Sequence, residues 1–97
     1  MTDQKKAPHP GEVLAAFLKK YGWTQAEFAW IIGRNAVRVN EIIRGKTGIS
    51  ARSAREFAAA LGTSPEFWMS AQTTYDLSIC ERNISEIVKR AKERGNQ

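Results

Sequence analysis

Six basic side chains crowd residues 33–55: Arg34, Arg38, Arg44, Lys46, Arg52 and Arg55, against one acid, Glu41. That segment alone carries +5, equal to the formal charge of the whole 97-residue chain. Residues 56–80 run the other way, with Glu56, Glu66 and Asp76 and no base. A basic stretch of this density suits a polyanion, whose phosphates it neutralises. A solvated basic surface accounts for the charge alone equally well. Near these bases stand Gln25, Asn35 and Asn40, whose amides can both donate to and accept from base edges or phosphates.

Other chemistry is poorly represented. No nucleophile–base pair, carboxylate dyad or glycine-rich phosphate loop stands out, which argues against an enzyme. Cys80 is the single cysteine and His9 the single histidine, so neither an intrachain disulfide nor a metal site is expected, and no cofactor is implied. One free thiol fits a reducing cytoplasm. No apolar run approaches the ~20 residues that span a bilayer, and the polar start Met1–Lys6 leads into no apolar signal core. The expectation is a soluble, cytoplasmic protein of one domain.

Short helices must position these side chains. Leu14, Phe17, Leu18 and Tyr21 repeat at i, i+3, i+4, i+7 and predict a helix over 11–21, ended by Gly22. Thr24-Gln25-Ala26-Glu27 reads as a capping box for a second helix, with Phe28, Ala29 and Ile32 inward and Gly33 as its stop. Asn35 reads as the N-cap of a third helix running to Arg44, with Val39, Ile42 and Ile43 buried and Gly45 in a left-handed position. Ser50 caps a fourth, with the stripe Ala54, Phe57, Ala58 and Leu61. Thr63-Ser64-Pro65-Glu66 opens a fifth, with Phe67, Trp68, Ala71 and Tyr75 expected in the core. Asn83-Ile84-Ser85-Glu86 caps a sixth, whose apolar stripe is Ile84, Ile87, Val88 and Ala91. No stretch alternates as a strand does, so the fold class is all-α.

Residues 24–45 join two short helices through a tight turn, with a small residue at Ala29, a glycine at Gly33, and an apolar inner face at Val39 and Ile42. This spacing is that of a helix-turn-helix, whose second helix can enter the major groove. Gln25-Ala26-Glu27-Phe28-Ala29 through Asn40-Glu41-Ile42-Ile43-Arg44-Gly45-Lys46 resembles the lambda-repressor-like (Xre) helix-turn-helix family. His9-Pro10-Gly11-Glu12-Val13-Leu14 before it resembles the start of HigA-type antitoxins. So does Ala60-Leu61-Gly62-Thr63-Ser64-Pro65-Glu66-Phe67-Trp68 after it, followed by Gln72, Tyr75, Asp76 and Leu77.

The resemblance implies a five-helix DNA-binding domain over 9–78; the rest of the chain reads as a flexible arm over 1–8 and an additional C-terminal helix in 79–97. It implies a homodimer on palindromic operator DNA, repressing its own operon and neutralising a co-encoded HigB-like ribonuclease toxin. Aligned to the family, Ala36, Val37 and Glu41 face the bases. Ala36 and Val37 suit thymine methyls, and Glu41 can accept from a cytosine amino group. Val37 as a packing residue and Glu41 as a solvated acid are the bland alternatives. Apolar residues at the first two positions depart from the family habit and predict weaker hydrogen-bond readout, with more reliance on DNA shape.

Arg38 and Asn40 can reach a base or a phosphate, with Asn35 beside them at the cap. Gln25, Arg44, Lys46 and Thr47 are expected near the phosphate backbone. Arg34 either adds a phosphate contact or snorkels over the core; Arg52 and Arg55 divide between phosphate and solvent. Trp30 points away from the buried face of its helix and is either a partner surface or a ring lying over its neighbours. Trp23 is either a staple for Phe28 or core. The Ile84/Ile87/Val88/Ala91 stripe either packs on the domain, forms a dimer seam or meets a toxin. Two further readings compete with the autorepressor: a stand-alone or phage-type repressor without a toxin, and a protein-interaction module that has lost DNA binding.

Overall fold

A computed structural model of the protein describes residues 7–80 and 84–95. Among these residues the elements are six α-helices and no strand: α1 (Pro10–Tyr21), α2 (Gln25–Ile32), α3 (Ala36–Ile43), α4 (Ala51–Leu61), α5 (Pro65–Ile79) and α6 (Ile84–Glu93). Most of the expected arm, and the Asn83 cap, lie outside the described residues.

Side-chain caps start the helices where the short polar residues predict them, because each cap satisfies an orphan N–H of a first turn. Thr24 Oγ1 accepts from the Glu27 N–H at 3.0 Å and the Glu27 carboxylate accepts from the Thr24 N–H at 2.7 Å. Asn35 Oδ1 accepts from the Arg38 N–H at 3.0 Å. His9 caps α1 through Nδ1, which accepts from the Gly11 N–H at 2.8 Å. Trp23 stacks on Phe28 with ring centroids 6.4 Å apart, the staple that fixes the chain's approach to α2.

Gly33 ends α2 at φ +75°, a left-handed conformation that side chains with a Cβ rarely adopt. Space is not the constraint, since no heavy atom lies within 4 Å of a Cβ placed there. Gly33→Val is therefore expected to cost about 1–2 kcal/mol through backbone strain alone, lowering the melting temperature by roughly 5–15 °C. A thermal melt matching wild type would contradict the turn assignment.

The core is one cluster: Leu14 and Leu18 of α1, Phe28 and Ala29 of α2, Val39 and Ile42 of α3, Ile49, four residues of α4, and Trp68 of α5. Phe28 meets Phe57 edge-on at 5.3 Å, and Phe57 meets Trp68 edge-on at 5.3 Å. Trp68 is fully buried, and its indole N–H donates to Thr63 Oγ1 at 2.7 Å. Burying this ring therefore leaves no polar atom unmatched.

Two expected core residues fall elsewhere. The inward stripe of α5 is Trp68, Ala71, Gln72 and Tyr75, none of which is exposed. Phe67 is one residue, about 100°, off that stripe, so its ring sits 43% exposed, edge-on to Trp68. Tyr21 lies at the rim of the α1 stripe, 42% exposed, and its hydroxyl donates to the Leu61 carbonyl at 3.2 Å.

Candidate nucleic-acid interface

The α2–turn–α3 unit is held from behind. Val39 and Ile42 plug α3 into the core, while Ala29 lets α2 approach it closely. The opposite side of α3 is left to solvent. Asn35, Ala36, Val37 and Arg38 are exposed at its N-terminal end, and Arg44 and Lys46 at its C-terminal end. Val37 keeps 64% of its surface exposed, which removes the packing alternative for this residue. An apolar and basic ridge therefore projects from a rigid support, with side chains able to meet base edges flanked by cations able to meet phosphates.

The other expected site residues are placed less simply. Gln25 and Asn40 are joined, the Asn40 amide donating to the Gln25 carbonyl at 3.0 Å. That bond crosses from the first residue of α2 to the middle of α3 and leaves the Gln25 NH2 group as its donor end. Glu41 is half-buried. Thr47 is half-buried as well, with Oγ1 shielded from solvent. Arg34 turns inward: its Nε lies 3.2 Å from Glu56 of α4, with side-chain exposures of 16% and 21%. Arg52 closes on the same carboxylate at 3.1 Å. Arg34 thus braces α4 against the turn, Arg52 holds Glu56 from within α4, and Arg55 is exposed. Trp30 is 83% exposed on the outer side of α2, beside Trp23, Ala26 and Ile31. Ile84, Ile87 and Val88 of α6 are 58%, 44% and 45% exposed and no residue of α6 is buried, so packing of this stripe on the chain's own core is not the outcome.

Three supporting residues were not among the expected site residues. Gln72 accepts from the Ile49 N–H at 2.6 Å and donates to Asp76 at 2.9 Å, pinning the loop that follows α3. Gly11 allows α1 to touch the backbone of Ile42 and Ile43. Glu56 gathers Arg34 and Arg52. Beside its place in the family resemblance, the hint of Gln72 in the sequence is a polar residue on the otherwise inward stripe of α5.

A projecting α3 braced by α2 defines a helix-turn-helix protein. Residues 14–68, more than half of the chain, match the Helix-turn-helix family. The chain belongs to that family, among the HigA-type antitoxins. It is 35% identical over 83 residues to Antitoxin HigA-1 of Vibrio cholerae, covering 84% of this chain and 78% of that one. It is 40% identical over 75 residues to Virulence-associated protein A' of Dichelobacter nodosus, covering 76% of this chain but only 65% of that longer relative. Its fold matches antitoxin GraA in complex with its operator with a TM-score of 0.76 at 33% identity, over 94% of this chain and 93% of that one. Among the described residues no helix is long and apolar enough to cross a membrane, and no group of His, Cys, Asp and Glu is placed to hold a metal ion.

Proposed function

We propose that this chain is a cytoplasmic, sequence-specific DNA-binding autorepressor and the antitoxin of a toxin–antitoxin pair, neutralising a co-encoded ribonuclease toxin of the HigB kind. The observation that carries the reading is the exposed ridge of α3, offered from a helix-turn-helix whose buried face is complete. The relatives named as antitoxins and the neighbour solved on its operator support it. The protein acts by binding alone and performs no catalysis.

Residues 9–78 form the DNA-binding body, with α3 in the major groove. Ala36 and Val37 meet thymine methyls and Glu41 lies at the inner edge of the readout. Arg38, Arg44 and Lys46 take phosphates. Gln25 holds a phosphate through its amide NH2, and Asn40 positions that amide. Two copies place their α3 helices about 34 Å apart on a palindromic site.

Operator titrations over a range of salt concentrations test this docking. Arg38→Ala is expected to weaken binding and to reduce the salt slope by about 1, since one counterion is no longer released. Asn40→Ala weakens binding through Gln25, so Gln25→Ala with Asn40→Ala costs less than the sum of the single changes. Unchanged affinity in both Arg38→Ala and Asn40→Ala would sink the assignment. Co-expression with the adjacent small open reading frame tests the second half: a stoichiometric complex that relieves growth arrest is the expected result.

A further inference from the structure

Helix α2 is apolar on two sides, and the fold uses only one of them. Phe28, Ala29 and Ile32 turn to the core, where Phe28 and Ala29 are buried. Trp23, Ala26, Glu27, Trp30 and Ile31 recur at i, i+3, i+4, i+7 and i+8, a second stripe on the outer side. These five residues line one open hollow of about 450 Å³. Trp30 keeps 83% of its surface exposed, more than any other large hydrophobic residue described. A helix that served only its own core would carry polar residues on this side, so the indole there marks a contact outside the chain.

The hollow is electron-rich, and part of it is held in place. Trp23 is half-buried, tilted against Tyr21 with ring centroids 5.0 Å apart and stacked on Phe28 at 6.4 Å. Glu27 supplies the one charge of the lining. Its Oε1 accepts from the Thr24 N–H at 2.7 Å, which fixes the carboxylate, and Oε2 keeps its lone pairs for a guest. No base of the chain fills that role. α2 contains none, and Glu27 forms no ion pair among the described residues. Lys20, the nearest base before it in the sequence, lies over the Tyr21 ring rather than over either indole.

This chemistry selects the occupant. Glu27 repels the phosphates of a nucleic acid or an anionic membrane. A purely apolar partner would bury the carboxylate without a counter-charge, at a heavy desolvation cost. A cation gains from both features, because indole faces attract it and the carboxylate pairs with it. A planar guanidinium can stack on a ring and fork to a carboxylate, whereas an ammonium is only a point charge. We propose that the hollow takes an arginine side chain presented by the toxin. This rests on the antitoxin reading, since a ribonuclease that holds RNA phosphates displays such side chains.

The test is calorimetric titration of the full-length chain with the purified product of the adjacent open reading frame. Trp30→Leu keeps an apolar side chain but removes the π face. Glu27→Gln removes the charge but keeps the capping box, which glutamine also completes. Both positions are exposed and neither belongs to the operator contact, so each variant is expected to melt and to bind operator like wild type. Each is expected to weaken toxin binding about tenfold. Replacing the toxin's exposed arginines by alanine one at a time identifies the guest. One of them should couple to Trp30→Leu, the double change costing at least about threefold less than the product of the two single changes. Wild-type toxin affinity in either variant, or a scan in which no arginine couples, overturns the proposal and leaves the antitoxin reading standing. No complex with the wild-type chain overturns both.

Discussion

Gly11→Ala is expected to lower the melting temperature by roughly 10–25 °C, corresponding to about 3 kcal/mol. Gly11 is buried in the first turn of α1, where α1 crosses the end of α3. A Cβ there would overlap the Ile42 carbonyl oxygen and stand 2.8 Å from its carbon and 2.9 Å from the Ile43 Cα. All three are backbone atoms, so no side-chain rotation relieves the clash and one helix must move. The same movement disturbs α3, and operator affinity should fall with stability. A melt within about 3 °C of wild type would mean that α1 and α3 do not approach as closely as described. The contrast with Gly33 is instructive, since Gly33 is constrained by its φ and has open space, whereas Gly11 has helical backbone and no space at all.

The second large effect is expected on binding alone. Val37→Glu should raise the operator dissociation constant about 100-fold, or about 2.7 kcal/mol, while the melting temperature stays near wild type. The side chain is 64% exposed, so the fold loses little when it changes. On DNA the new carboxylate would sit among phosphates and replace an apolar contact with an unmatched charge. Val37→Ala, which only trims that contact, should cost a few-fold, about 1 kcal/mol or less. Electrophoretic or anisotropy titrations of both variants at one fixed salt concentration separate these outcomes. Wild-type affinity for Val37→Glu would remove the N-terminal half of α3 from the major groove.

Much of the architecture could be read along the chain because its signals are local. Thr24 with Glu27, Asn35, Ser50 and Ser64 mark helix starts through bonds that reach only three residues ahead. Gly22, Gly33 and Gly62 mark stops through a backbone conformation that depends on the residue itself. The stripes of α1 and α4 show which side faces inward, although Tyr21 and Phe67 show that an aromatic at the stripe's edge ends up partly in solvent.

The site divides along the same line. Residue order and helical period determined that Val39 and Ile42 would be buried, whereas the outward placing of Ala36 and Val37 came from the family resemblance, with packing left open for Val37. Only the tertiary structure decided that Arg34 turns to Glu56, that Asn40 grips Gln25, that Gln72 ties down the loop after α3 and that Gly11 must be a glycine. Each of these joins residues 15 or more positions apart. Which long-range partner a side chain finds depends on how helices cross in space, and the spacing of residues along one helix carries no record of that crossing.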